Sequence, residues 1–272
     1  MTVLCVLPAR LGSERLPRKP LQMIAGRPLV EWTWMAASRV PGVDEVLVAT
    51  DSEEIAGVVT AFGGSAVLTS AEHPSGTDRV AEAVAGRGAD VIVNFQADEP
   101  FLAAASVRAA IDAIVEGRAG IATLATPITS EAEWRSPAVV KVARTADGAA
   151  LYFSRAPIPH PRDGAPDWAE ARDLGPSSQT ALAPASPWLR HVGLYAYSGE
   201  ALAAFVALPP SPLEEIERLE QLRALEAGMR IAVCLVAPGE PGIDVPDDVA
   251  RAAELLRAAP HDHEHRKRET HA

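Results

Sequence analysis

Cysteine is almost absent from this chain, with two in 272 residues, Cys5 and Cys234, each inside an apolar run. No disulfide framework is expected, and both read as buried, reduced thiols. Positive charge is also scarce: 25 Lys and Arg stand against 36 Asp and Glu, a net charge of −11. General nucleic-acid binding needs clustered cations facing phosphates, so this balance argues against it. No apolar run approaches the roughly 18 residues that span a bilayer, so no membrane partner is expected. The opening Met-Thr-Val-Leu-Cys-Val-Leu-Pro lacks a basic flank and reads as a first strand rather than a signal peptide, which makes the cytoplasm the expected location. The glycine signatures G-x-x-x-x-G-K-[ST] and G-x-G-x-x-G are both missing, excluding a Walker loop and a dinucleotide fingerprint. There is no internal repeat.

What is present is a chain that is 48% hydrophobic, long enough to bury one substantial core. Short apolar runs read as strands at 3–7, 43–50, 65–69 and 90–95. Between them, helices are expected from Arg27-Pro28, after the cap Asp51-Ser52 up to Gly63-Gly64, and over 77–86. This alternation is the pattern of an α/β protein with a mostly parallel sheet and helices on both faces. After Arg118 the rhythm becomes strand-rich, with strands expected at 121–126, 139–144, 149–154 and 191–198. The Pro/Gly/Ala/Ser-rich stretch 157–187 reads as a loop. A helix over 212–227, a strand at 231–236 and a helix from Pro246 to about Leu256 close the domain. Residues 258–272, with four of the seven histidines, read as a disordered, chemically idle tail, with metal binding as the alternative.

Three segments carry candidate chemistry. The string L-P-A-R-L-G-S-E-R-L-P-R-K-P, 7–20, follows the first strand, and the loop after such a strand lies at the carboxyl edge where α/β sheets bind ligands. Gly12 and Ser13 permit a tight loop whose N–H groups can face phosphate, and Arg10, Arg15 and Lys19 supply cations. Taken alone, this is also a solvated basic loop. In V-I-V-N-F-Q-A-D-E-P, 91–100, a buried strand delivers Gln96 and Asp98 to the same edge. Magnesium takes one or two carboxylates plus phosphate oxygens, which suits Asp98, although an Asp there also serves as a turn residue. In P-G-I-D-V-P-D-D, 241–248, Asp244 either caps the helix from Pro246 or converges on Asp98 as a second metal ligand.

These strings occur in order with G-R-P-L-V, H-P-S-G-T-D-R-V-A-E, A-L-Y-F-S-R-A-P-I-P, L-R-H-V-G-L-Y-A-Y and S-P-L-E-E-I-E-R-L-E-Q-L-R. The ordered set, spanning about residues 3–257, resembles the 3-deoxy-manno-octulosonate cytidylyltransferases, also called CMP-KDO synthetases. The resemblance implies a nucleotide-diphospho-sugar transferase fold, a homodimer, and transfer of CMP from CTP to a 3-deoxy-octulosonate-type sugar acid. It implies one cytidylyltransferase domain over 1–257, with 119–200 serving the sugar and the dimer. By motif, Arg10, Ser13, Arg15 and Lys19 would hold the CTP phosphates, and Ser75, Gly76, Thr77 and Arg79 the cytosine and ribose. Gln96 would lie between nucleotide and sugar, and Asp98 and Asp244 would hold Mg2+. Lys19 and Arg10 would join the two aspartates in catalysis. Arg155, His191, Tyr195, Glu217, Glu220 and Gln221 would line the sugar pocket.

The residue spacing bears on some of these assignments. Glu217, Glu220 and Gln221 are expected to share a helix face, and His191 and Tyr195, at i and i+4 of a strand, to point to one side. Either ring is equally at home in a core, and the helix face is equally at home in solvent. Two departures stand out: the family usually carries Gly where this chain has Ala97, and the 163–187 excursion is rich in Pro and Ala. A CMP-sialic acid synthetase is the nearest alternative, but that family usually has Lys-Asn where Lys19-Pro20 stands. A catalytically silent nucleotide-binding homologue is the other, although both acids and the loop cations are in place.

Overall fold

The computed structural model describes residues 1–12, 15–164, 168 and 186–258. In chain order its strands are β1 (Val3–Ala9), β2 (Met23–Ile24), β3 (Arg27–Pro28), β4 (Glu45–Thr50), β5 (Ser65–Leu68) and β6 (Val91–Asn94). They continue as β7 (Ile121–Pro127), β8 (Lys141–Arg144), β9 (Ala150–Ser154), β10 (Leu189–Ser198) and β11 (Ile231–Leu235). The helices are α1 (Leu29–Ser38), α2 (Glu53–Ala61), α3 (Gly76–Val84), α4 (Ala104–Val115) and α5 (Glu131–Arg135). They are followed by α6 (Gly199–Val206), α7 (Pro212–Glu217), α8 (Gln221–Glu226) and α9 (Pro246–Ala258).

One nine-stranded sheet, ordered β11-β7-β10-β6-β1-β4-β5 with β8 and β9 branching from β10, organises the molecule. β1 pairs in parallel with β4 and β6, while β10 runs antiparallel between β6 and β7. The strand-rich stretch 119–200 thus adds its strands to the same sheet. Period-two alternation explains how β1 is buried on both faces. Val3, Cys5 and Leu7 pack with side chains of α1, α2 and α4, while Leu4 and Val6 pack with those of α3, α6 and α8.

From β1 the chain steps to β4 and β5 on one side, then returns to β6 on the other. The reversal between β1 and β6 is a topological switch point, and the crevice beyond their carboxyl ends is where such sheets take ligands.

Two elements that the sequence did not announce position that crevice. The β2–β3 hairpin turns on Ala25 and Gly26, both at positive φ (47° and 88°), a two-residue turn whose twist matches its strands. Its Ile24 joins Leu16 and Leu29 in a small apolar cluster with Ile243, Ala252 and Leu256. That cluster docks α9 against the first loop, so the start of α9 is brought beside the loop's cations. Helix α4, also unannounced, covers β6, β7, β10 and β11.

The single helix expected over 212–227 is a correction: it is two helices. Arg218 breaks it in the left-handed region at φ 54°, ψ 47°. The pieces are then clamped by a two-pronged ion pair, Arg223 Nε and Nη2 donating to Glu214 Oε2 and Oε1, each at 2.9 Å. Glu217 therefore ends one helix while Glu220 and Gln221 begin the next, and the shared helix face does not exist.

Candidate active site

The carboxyl ends of β1 and β6 frame a cleft of about 620 Å³, lined among others by Arg10, Arg15, Lys19, Gln96, Asp98 and Asp244. Lys19 opens a one-turn 3-10 helix (Lys19–Leu21) whose Pro20 is buried. Its ammonium donates to Asp98 Oδ2 at 2.6 Å and to Asp244 Oδ1 at 2.8 Å. Arg15 Nη1 reaches the other oxygen of Asp244 at 2.5 Å. Burial pulls the Lys19 pKa down, but the charge of Asp98 and the bonds to both carboxylates outweigh it, so the net direction is up.

Asp98 and Asp244, 146 positions apart in the chain, are joined by backbone: Ile243 N–H donates to Asp98 O at 2.9 Å. The capping alternative for Asp244 falls to another residue. Asp248 accepts from the N–H groups of Asp244 (2.8 Å) and Val245 (3.0 Å), leaving the Asp244 carboxylate turned to the cations. Behind Asp98, Glu99 is pushed up to about 7, first by burial and then by the charge of Asp98, against the opposing pull of Arg190 and Lys19.

Ser75 caps α3, its Oγ accepting from Thr77 N (3.1 Å) and Asp78 N (3.2 Å), a contact worth about 1 kcal/mol. Gly76 lies over Pro8 of the cleft wall, where an added Cβ would meet the ring at 3.4 Å. From the cleft a polar chain runs inward. Gln96 Nε2 donates to Asn94 Oδ1 (3.2 Å), Asn94 Nδ2 to Thr77 Oγ1 (3.2 Å), and Thr77 Oγ1 to Glu220 Oε2 (2.9 Å). Ser75 Oγ lies 2.6 Å from Glu220 Oε1, so both oxygens of Glu220 are engaged. Burial raises the Glu220 pKa, and the Ser75 and Thr77 hydroxyls oppose that shift.

Beyond Gln96, Tyr195 of β10 pairs with Asn94 of β6. The register of β10 against β7 shifts between Val192 and Tyr195, yet His191 and Tyr195 still share a side, their rings 5.4 Å apart. Phe153 of β9 meets the His191 ring edge-on at 5.2 Å. Next to Phe153, Ser154 Oγ donates to Glu217 Oε1 (2.5 Å) and Arg155 N to Glu217 Oε2 (2.9 Å). The Arg155 guanidinium is held by carbonyls, Nε to Glu217 O (2.9 Å) and Nη1 to Pro137 O (3.1 Å). Gln221 is 8% exposed, and its amide nitrogen has no partner among the described residues.

A family model described as Cytidylyltransferase matches residues 4–231. The chain belongs to the cytidylyltransferase family. Curated relatives named 3-deoxy-manno-octulosonate cytidylyltransferase include one from Syntrophotalea carbinolica, 43% identical over 94% of this chain and 99% of the relative. Another, from Xanthomonas euvesicatoria pv. vesicatoria, is 47% identical over 90% of this chain and 93% of the relative. A solved structure of CMP:2-keto-3-deoxy-manno-octonic acid synthetase complexed with CTP superposes with a TM-score of 0.83 at 38% identity, covering 94% of this chain and 99% of that one. The 4-diphosphocytidyl-2C-methyl-D-erythritol synthase of Anaerococcus prevotii shares the fold alone, at 15% identity and a TM-score of 0.58.

Within this cytidylyltransferase, Arg10, Arg15, Lys19, Gln96, Asp98 and Asp244 share one cleft, and Ser13 lies outside the described residues. Arg79 is not directed at the cleft. It is 4% exposed and spends its guanidinium on Thr69 Oγ1 (2.6 Å) and Asp51 Oδ2 (3.1 Å), bracing the ends of β4 and β5. Most of 163–187, and the tail past Ala258, lie outside the described residues. Sequence reasoning missed Asn94, Thr123, Glu99 and Gly242. The first two were visible as polar residues inside otherwise apolar strands.

Thr123 fixes the state of His191. Its hydroxyl donates to Leu194 O at 2.7 Å, so it accepts from His191 Nε2 at 2.8 Å, which places a proton on that nitrogen. Burial lowers the His191 pKa from 6.5 to about 4. The folded value lies below the unfolded one, so this stability is fully present above pH 6.5 and is lost as pH falls toward 4. The expected contribution is about 3 kcal/mol. Urea midpoints should fall between pH 7 and 4.5 by less in His191→Gln than in the parent. Equal acid losses in the two proteins would contradict a buried neutral imidazole.

Proposed function

We propose that this cytidylyltransferase transfers CMP from CTP to the anomeric hydroxyl of a 3-deoxy-octulosonate-type sugar acid, releasing pyrophosphate. The observation that carries the proposal is the convergence of Asp98 and Asp244 on the Lys19 ammonium, in a cleft that also presents Arg10, Arg15 and Gln96. In-line attack of a hydroxyl on an α-phosphate needs positioning and charge stabilisation more than covalent catalysis. Lys19, Arg10 and Arg15 would stabilise charge growing on the α-phosphate and the leaving pyrophosphate. The polar chain from Gln96 to Glu220 ties the nucleotide side to the acceptor side. His191, Tyr195 and Gln221 would meet the sugar's hydroxyls, while Arg155, braced by Glu217, would be placed near its acid group.

Two carboxylate oxygens already aimed at one cationic atom suit a hard divalent ion, so Asp98 and Asp244 would hold Mg2+. Magnesium bound there would supply charge neutralisation and lower the pKa of the attacking hydroxyl. We further propose a cytoplasmic homodimer. Leu151 of β9 and Ile216 of α7 are 60% and 78% exposed, the kind of apolar surface that a second copy would cover. Light scattering on the purified protein tests this part.

A panel of sugar acids assayed with CTP, read as pyrophosphate release, tests the reaction. The octulosonate is expected to give the highest kcat/KM, and a sialic acid outrunning it would overturn the acceptor assignment. CTP is expected to exceed ATP and GTP by roughly tenfold or more, because a pocket that hydrogen-bonds one base leaves its groups unpaired with another. Equal rates with purine triphosphates would remove the cytidylyl reading.

A further inference from the structure

Lys141 is wholly buried, yet among the described residues it meets no carboxylate at hydrogen-bond distance. Its ammonium donates to three backbone carbonyls: Ser136 O at 2.8 Å, Val139 O at 2.6 Å and Arg155 O at 2.6 Å. A lysine has three N–H donors, so the set is saturated. A buried cation is costly, and burial lowers its pKa, with the charge of Glu217 opposing that shift. A methionine would fill similar space without the cost. The charge therefore calls for a purpose beyond filling the core.

Its position supplies one. Lys141 lies in β8 between Ser154, the last residue of β9 before Arg155, and Arg190 of β10, the strand that carries His191. The three carbonyls belong to the α5–β8 connection and to the residue that follows β9. Between the two held carbonyls of that connection sits Pro137, whose own carbonyl accepts from Arg155 Nη1. One ammonium thus fixes both the Arg155 main chain and the loop against which its guanidinium rests.

We propose that Lys141 is a positioning residue for the sugar-acid half of the site, setting the Arg155 fork so that its remaining N–H groups meet the acid group of the acceptor. The inference rests on the reading of Arg155 as an acceptor-side residue. It acts through Arg155 and Glu217 and touches no substrate.

The test uses the full chain with Mg2+, varying 3-deoxy-manno-octulosonate at saturating CTP and then the reverse, in Lys141→Met, Lys141→Gln and Arg155→Ala. Lys141→Met is expected to raise the acceptor KM about tenfold, the scale of one weakened charge-assisted bond, and to leave the CTP KM within about twofold. Lys141→Gln keeps two N–H donors and should fall between. A purely structural lysine would lower the urea midpoint without splitting the two KM values. An unchanged acceptor KM in folded Lys141→Met, beside a raised one in Arg155→Ala, would overturn the positioning role. An unchanged acceptor KM in Arg155→Ala would instead overturn the reading of Arg155, and the inference with it. Should Lys141→Met not fold, the same split in Lys141→Gln decides the matter.

Discussion

Replacing Asp98 or Asp244 by alanine is expected to lower turnover by at least about a hundredfold, since charge held at the reacting phosphate is worth several kcal/mol. Both carboxylates face Lys19 from separate segments, one following β6 and one preceding α9. Asp98 is about one-third exposed and Asp244 somewhat more, so neither side chain supports the core. The fold should survive either change, with urea midpoints near the parent's. Losing one acid leaves Lys19 with a single carboxylate and removes half of the oxygen set that suits a divalent ion. Turnover should then be poor at any magnesium concentration, and restoring length without charge, as in Asp98→Asn, should not rescue it. Near-normal activity in both alanine variants would rule out the two-carboxylate site.

How much of this was legible in the sequence differs by region, for physical reasons. The strands around β1 were readable because a parallel strand buried on both faces must be apolar throughout, and Val3–Leu7 and Val91–Val93 are. Asp98 was readable for the same reason: an acid just past such a run lies at the carboxyl edge. Its meeting with Asp244 was left open by the residues and came only with the family resemblance, because it depends on the apolar cluster of Leu16, Ile24 and Ile243, which no local period encodes. The broken helix at Arg218 misled because Pro212 to Ala227 keeps good helix formers throughout. The left-handed residue is imposed by the Glu214–Arg223 clamp and by what Glu217 and Glu220 each grip on either side. Tertiary demand there overrode propensity. Arg79 misled in another way: its motif places it beside the cleft, and only the structure shows its guanidinium turned to Asp51 and Thr69.

Gly242→Ala is expected to cost ten- to a hundredfold in kcat although position 242 bears no chemical group, as displacements of about 1 Å in positioned groups do elsewhere. A Cβ at Gly242 would lie 2.8 Å from Glu99 Oε1 and 2.9 Å from Asp98 O. The Glu99 carboxyl could swing aside, but Asp98 O is backbone and is pinned by the N–H of Ile243. The relief open to the chain is for 242–244 to back away from 98–99, and that movement carries Asp244 off the point it shares with Asp98. Overpacking of this kind costs about 1–3 kcal/mol, so the variant should fold with a lowered urea midpoint. Because the displaced group is a proposed metal ligand, the magnesium concentration for half-maximal rate should rise while the CTP KM changes less. Gly239→Ala is the control, since nothing among the described residues lies within 4 Å of its Cβ position, and it should match the parent in all four readouts. A Gly242→Ala protein with the parent's kcat and magnesium dependence would show that the approach of the two segments does not set the spacing of the aspartates.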